Sequence, residues 1–263
     1  MKITIITVVY NNPMIREALD SVLNQRLDAG DELELIVVDG GSTDGTLDVL
    51  EAYRPRLGGL LSEPDHGIYD AMNKGIKLAT GNIIGMLNSD DLYRDGEVLA
   101  SVVKAFRSGK IEVVYGDLVY VQKDDPTQIV RYWQSEPYHS SLFEQGWAPP
   151  HPTFFVRRDV YEQFGYFDLN YKIAADFELM LRFMKRQKVT WAYIPEILVR
   201  MRMGGHSNQS IKNIIRGNRE CYDAFKVNKI PISRFYFIKR MFRRISQYFG
   251  RISASRLLDG NGN

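Results

Sequence analysis

Three short stretches place acidic side chains where chemistry is possible. In "GMLNSDDLY" (85–93) an apolar run, Ile83 to Leu87, breaks off into Asn88, Ser89, Asp90 and Asp91. Adjacent carboxylates repel each other and gain nothing from burial. Clustered at a strand end they suit a hard divalent cation, Mg2+ or Mn2+, which takes oxygen ligands and keeps positions open for phosphate oxygens. The same residues also serve as a plain turn capping a helix near Gly96–Phe106. "VVDGGSTDGT" ends a second apolar run in Asp39. It is not the dinucleotide fingerprint, because glycines 40, 41 and 45 follow the second strand and not the first. A carboxylate at the mouth of a sheet accepts N–H or O–H donors from a base or ribose. The glycines permit close backbone approach, and Ser42 to Asp44 cap the next helix; a turn with an N-cap is the simpler alternative. "IAADFELMLRF" puts Asp176 and Glu178 at the head of an amphipathic helix. There the helix dipole keeps a carboxylate ionised, ready to take a proton from a sugar hydroxyl. The alternative is that Asp176 is only the helix cap.

The elements that must position these groups alternate over the first 120 residues. Lys2–Val9, "ELIVVD", "GLLSEP" and Asn82–Leu87 read as strands, and Asn12–Gln25, Gly45–Tyr53 and Ile68–Ala79 carry helical periods. This alternation points to βαβ units and a parallel sheet with covered faces. The polar clusters fall at strand carboxyl ends, where open α/β sheets hold their ligands. Beyond residue 110 the pattern is mixed. "EVVYGDLVYV" and "IVRYW" read as hairpin partners around Lys123 to Pro126. Thr153–Val156 reads as a strand entering a short helix, Ala174–Arg186 as a helix, and "VTWAYIPEILVRMRM" as late strands.

Composition bounds the class. The chain has 263 residues, 44% hydrophobic and 25% charged, as in an ordinary globular protein. A single cysteine, Cys221, excludes an internal disulfide, and with four scattered histidines it fits no zinc spacing. "MKITIITVVY" reads as a first strand and not a signal peptide, and no apolar stretch is long enough to span a bilayer. The net charge of +2 hides an asymmetry. Residues 224–263 hold nine basic residues and one acid, Asp259, which leaves 25 basic and 31 acidic residues, net −6, in 1–223. Within that tail Phe235, Ile238, Met241, Phe242, Ile245, Tyr248 and Phe249 share one helical face, with Lys239, Arg240, Arg243 and Arg244 opposite. Such a helix suits the surface of an anionic membrane, over 234–251. The alternative is a terminal helix packing its apolar stripe on the body. The acidic body offers no basic groove for nucleic acid.

"TIITVVYNN", "LIVVDGGSTDGT", "SEPDHGIYDAMNKGIKLATGNIIGMLNSDD" and "AADFELMLRF", in that order, resemble family 2 glycosyltransferases with a GT-A fold, and most of all bacterial enzymes of exopolysaccharide and O-antigen repeat units. The resemblance covers roughly residues 1–205. It implies an α/β fold, a mixed and mainly parallel sheet flanked by helices, followed by the C-terminal amphipathic helix. Residues 1–110 would be the nucleotide-sugar half, 111–205 the acceptor and catalytic half, and 206–263 a basic helical region. It implies that Thr7, Val9, Tyr10, Asn11, Asp39 and Ser42 hold base and ribose, and that Asp65, Asn73 and Lys74 line the donor side. The family's D-x-D motif falls on Asn88-Ser89-Asp90, with Asp90 as the metal ligand and Asp91 close by. The inverting base falls on Asp176. Two positions depart from the pattern: Asn88 is neutral where the motif is acidic, and Ala175 stands where the base's acidic neighbour belongs. His151 in "APPHPTFF" and His206 in "RMGGHSNQS" sit in loops suited to touching acceptor or diphosphate, His206 as part of a lid.

The expected activity is inverting transfer of a sugar from a nucleotide-diphosphate sugar to the hydroxyl of a saccharide or lipid-linked saccharide, on the cytoplasmic side of the cell membrane. A silent sugar-nucleotide-binding or assembly protein is a rival that Asn88 and Ala175 favour. A sugar nucleotidyltransferase would need a Gly-rich triphosphate loop after the first strand, and "VVYNNPMIREA" has none.

Overall fold

A computed structural model describes residues 1–204 and 211–246; His206 and residues 247–263 lie outside the described residues. Strands β1 (Lys2–Val9), β2 (Glu32–Asp39), β3 (Gly59–Ser62) and β4 (Ile83–Met86) lie parallel in the order β3-β2-β1-β4. Their residues are apolar almost without break because both faces are covered. Ile6, Val8, Ile36, Val38, Ile84 and Met86 pack under α3 (Ile68–Leu78) through Ala71, Met72 and Ile76. The alternate set, Ile3, Ile5, Leu35, Val37 and Ile83, meets α1 (Arg16–Leu23), α2 (Thr46–Tyr53) and α4 (Val98–Arg107) on the other face.

The sheet continues into the second half of the chain. Strand β8 (Phe155–Arg157) lies antiparallel between β4 and β6 (Val113–Val121). The expected hairpin forms between β6 and β7 (Ile129–Trp133). The late strands are one strand, β9 (Trp191–Arg202), parallel to β6 with register shifts around Gly116. Strand β5 (Leu92–Tyr93), which pairs with β9, is too short for its sequence to show a period.

Among the boundaries that differ from the sequence expectation, two have a visible physical cause. Thr153 closes a 3-10 turn (His151–Thr153) and not a strand, because its hydroxyl bonds the carbonyl oxygens of Pro150 (2.9 Å) and Gly116 (3.0 Å). The helix expected over Ala174–Arg186 is α6 (Ala175–Met180) running into a π-helical turn, Leu181–Arg186. An extra residue per turn leaves no mark on an apolar pattern of this length.

Helices α5 (Arg158–Phe164), α7 (Ile211–Val227) and α8 (Tyr236–Ser246) complete the described chain. Helix α8 reverses the simple packing picture for an amphipathic helix. It turns Tyr236, Arg240 and Arg243 toward the body, while Phe235, Ile238, Met241 and Phe242 are exposed. Tyr236 is wholly buried with its ring 5.1 Å from that of Phe225. The Arg240 guanidinium lies over the Phe177 ring and donates to Cys221 Sγ at 2.9 Å; Arg243 pairs with Glu136 at 2.6 Å.

Candidate active site

Because β1 to β4 are parallel, the loops that follow them share one edge of the sheet. Asp39 ends β2 with no exposed surface. Its carboxylate accepts the amides of Gly41 (3.1 Å) and Ser42 (3.0 Å) and the hydroxyls of Ser42 and Ser62 (2.7 Å to the latter). Four donors fill a carboxylate's acceptor sites. Asp39 therefore organises the loop and has no acceptor site left over. Thr7 and Val9 are likewise buried in β1, whereas Tyr10 is 63% exposed.

Contacts between loops tie the edge together. Asn11, at a φ of +48°, donates its amide to Ser42 Oγ (2.8 Å) and accepts the Thr43 amide at Oδ1 (2.9 Å). Asn tolerates this left-handed conformation better than most residues. Asn12 Nδ2 reaches Ser89 Oγ at 3.1 Å, which joins the first loop to the Asn88–Asp91 loop. The Asp65 carboxylate lies so close over Gly40 that a Cβ there would meet its Oδ2 at 2.4 Å, with Tyr10 beside it at 3.4 Å. Asp65 Oδ1 then accepts the amide of Gly67, just ahead of α3.

At the end of β4, Asp91 is buried and accepts from Asn88 Nδ2 at 2.9 Å through Oδ2, while its Oδ1 has no partner. Burial pushes Asp90 and Asp91 up, and for Asp91 the charge of Asp90 adds to it; Arg202 acts against the rise at both. Arg202, at the end of β9, holds the Asp90 carbonyl (3.2 Å), the Lys123 carbonyl (3.0 Å) and Glu17 (2.6 Å). Among the described residues no three His, Cys, Asp or Glu side chains gather in one place. Two carboxylates with an orphaned oxygen do fit Mg2+ or Mn2+ held with substrate phosphates, since such sites use one or two protein carboxylates.

On the other side of α3, Asp176 stands in the first turn of α6. Ala174 is the cap, so Asp176 is not an N-cap; its Oδ1 accepts the Phe177 amide at 2.8 Å and shares the Tyr69 hydroxyl, 3.2 Å away, with the Ile173 carbonyl oxygen at 2.8 Å. Tyr69 stacks on Phe167 at 5.5 Å, and the His151 ring meets Phe167 in a T-shaped contact at 5.5 Å. Burial holds His151 below its usual range and Asp176 pulls the other way. Burial, followed by the charge of Asp176, keeps the Tyr69 hydroxyl protonated well above its usual range. Ahead of the helix, Glu220 of α7 ties down the approaching segment by accepting the amides of Lys172 (3.1 Å), Ile173 (2.8 Å) and Ala174 (3.0 Å). Burial works against that charge, yet these amides and Arg216 hold the Glu220 carboxyl below its usual range.

Two expected donor-side residues have occupations of their own. The Asn73 amide is fully engaged with the Phe167 backbone, 2.9 Å in each direction. Lys74 pairs with Glu63 at 2.8 Å and Asp70 at 3.6 Å. Asn12, Tyr69, Arg202 and Glu220 are site-shaping residues that sequence reasoning did not single out. The tandem asparagines and the tyrosine after Gly67 were visible signals; for Arg202 and Glu220 there was none.

The sheet is mixed and mainly parallel in its first half, with an acidic turn after its fourth strand and Asp176 in the first turn of a later helix. The sequence profile of glycosyl transferase family 2 matches residues 4–165, and the chain belongs to that family. It is 32% identical over 195 residues, 72% of each chain, to a PGL/p-HBAD biosynthesis glycosyltransferase of Mycobacterium bovis. Its GT-A fold superposes on S. aureus TarS in complex with UDP-GlcNAc (TM-score 0.64, 19% identity, 97% of this chain and 74% of that one). It also superposes on a Pyrobaculum calidifontis mannosyltransferase in complex with GDP-Man and Mn2+ (TM-score 0.63, 20% identity, 98% and 72%). The chain spans 43% of a longer TarS chain.

Proposed function

We propose that this glycosyltransferase moves a sugar, with inversion, from a nucleotide-diphosphate sugar to the hydroxyl of a saccharide or lipid-linked saccharide. It would work in cell-surface polysaccharide synthesis, peripherally at the inner face of the cell membrane. What supports the reading is one chain of contacts. Asp39 leads through Ser42, Asn11 and Asn12 to the Asp90 loop, and Gly40 leads through Asp65 and the head of α3 to Tyr69 and Asp176. These contacts link the three acidic groups to one another through neighbouring residues, and that linkage supports the reading. Relatives of this fold bind UDP-GlcNAc or GDP-Man, the latter with Mn2+.

In this reading Tyr10, Asn11 and the Asp39-shaped loop receive the nucleoside, with Asp65 beside them. Asp90 and Asp91, with Asn88, would hold Mg2+ or Mn2+, which when bound compensates the charge of the departing diphosphate. Asp176 takes the proton of the acceptor hydroxyl as its oxygen bonds to the anomeric carbon. The bond from that carbon to the diphosphate oxygen breaks, and the nucleoside diphosphate leaves with the electron pair. Tyr69, whose hydroxyl is shared between the Ile173 carbonyl and Asp176, stays protonated, so the proton goes to Asp176. His151 is near enough to Asp176 to bound the acceptor side; the His206 lid lies outside the described residues.

The test is Asp176→Asn assayed with a panel of nucleotide sugars. General-base help is worth ~10²–10⁴-fold, so a loss of that size in kcat with an intact fold is expected. Full transfer by this variant would remove Asp176 from the role. Binding of nucleoside diphosphates by the wild type without transfer or donor hydrolysis would instead favour the silent binding protein.

A further inference from the structure

We propose that the outward face of α8 is a bilayer-contact surface, with Phe235, Ile238, Met241 and Phe242 entering the acyl boundary of an anionic membrane. The proposal rests on the peripheral location given above and names the surface that would achieve it. An ordinary surface helix buries its apolar stripe and shows its charges to water. Here the inner face is Tyr236, Arg240 and Arg243, each with a partner on the body. At 100° per residue the four apolar side chains fill an arc of about 120° on the opposite side, and they are 49–65% exposed.

The packing shows why the helix does not roll over. Arg240 Cα comes within 2.5 Å of where a Cβ on Gly146 would stand, so the helix backbone rests directly on that turn. The inward Arg240 lies over Phe177 and bonds both Cys221 and Tyr236. Rolling the helix inward would strand that guanidinium, and exposing the stripe is the lesser cost unless something covers it.

Charge selects the occupant. Residues 224–258 contain no acid, and the exposed Lys239 borders the stripe with Arg234 just ahead of it. A second copy across a two-fold axis would set this basic segment against itself. An anionic headgroup layer neutralises it, at about 1 kcal/mol per cation near the surface. The net −6 body is repelled by the same layer, which leaves the α8 face forward.

Sedimentation of the full chain with phosphatidylglycerol-containing vesicles, and with neutral phosphatidylcholine vesicles, tests this. The wild type should bind the anionic vesicles, and the double variant Ile238→Ser, Phe242→Ser should bind at least about tenfold more weakly. Its melting temperature should change little, since the two side chains are 49% and 63% exposed. Lys239→Glu should weaken binding to anionic vesicles only. Wild-type protein that ignores anionic vesicles, equal binding by the double variant, or equal binding to neutral vesicles would overturn the proposal. So would a lipid-free dimer, seen by light scattering, that the double variant dissociates while vesicles have no effect. None of these readouts uses transfer activity, so failure here and failure of the Asp176 assignment are distinguishable.

Discussion

Glu220 Oε2 lies 3.0 Å from the amide nitrogen of Ala174, the residue that caps α6 with no side-chain oxygen to do it. The carboxylate comes from 46 residues further along the chain and bonds two more amides of the segment leading to Asp176. The resemblance expects an acidic residue next to the proposed base Asp176, and Ala175 stands there instead. An acid from α7 restores negative charge at the head of this helix.

Glu220→Ala should therefore act through placement. Displacing a reacting group by about 1 Å can cost ~10²-fold, and the expected loss in kcat is between about 10- and 100-fold, with the donor KM within about twofold. Glu220→Gln keeps an acceptor oxygen for the amides and should recover part of the rate. Steady-state kinetics on both variants decides it. A raised KM with kcat intact would place Glu220 outside the positioning of Asp176.

The acid sensitivity of the fold has a readable source in Glu34. Its carboxylate accepts Thr4 Oγ1 (2.6 Å), Thr80 Oγ1 (2.6 Å) and the Thr80 amide (2.9 Å), and pairs with Lys2 at 2.8 Å. Burial opposes the charge, but these donors prevail and lower the carboxyl from 4.5 to about 2. A folded-state value below the unfolded one stabilises the protein fully above pH 4.5, and the contribution is lost as pH falls toward 2. The urea midpoint of Glu34→Gln should lie below that of the wild type at neutral pH, by an amount that stays constant down to about pH 5 and closes in stronger acid. A gap that widens on acidification would contradict the assignment.

The first 90 residues were legible because strands buried on both faces are mostly apolar, and each ends in a polar cluster at the carboxyl edge of the sheet. Asp90, Asp91, Tyr10 and Asn11 could be found that way. Burial could not: Asp39 and Asn73 look alike as polar residues at element ends, yet one is filled by its own loop and the other by the Phe167 backbone. Partners distant in sequence left no trace, so Glu220 was invisible. Helix α8 showed its two faces clearly, but which one meets the body depends on Gly146 and Phe177, and no periodicity contains that.

Gly146 can be tested directly. It has a φ of +84°, and a Cβ would come within 2.5 Å of Arg240 Cα, a backbone atom that cannot swing away. Overpacking of this kind costs about 1–3 kcal/mol and the left-handed conformation roughly 1 kcal/mol more. Gly146→Ala should lower the melting temperature and speed proteolysis within α8, while Gln145→Ala next to it should do far less. Unchanged cleavage in α8 would mean that the helix is not seated on this turn.

The Asp90–Asp91 pair separates stability from function. Asp91 has one side-chain oxygen without a partner, no exposed surface and a like charge next to it, which work against its ionised form; Asn88 and Arg202 offset part of this, and a cation bound there would offset more. Asp91→Asn keeps the size and retains an oxygen for the Asn88 bond, but removes the charge. In chelator-treated protein its melting temperature should be no lower than that of the wild type. Adding Mn2+ with a nucleoside diphosphate should raise the wild-type melting temperature, by about 2.7 kcal/mol in stability at a hundredfold excess over Kd, and should raise that of Asp91→Asn much less. Asp90→Ala should lose the rise altogether, along with transfer. An equal Mn2+ response in all three proteins would show that the cation, if one is used, is held elsewhere, and the orphaned oxygen of Asp91 would then be a cost without a counterpart.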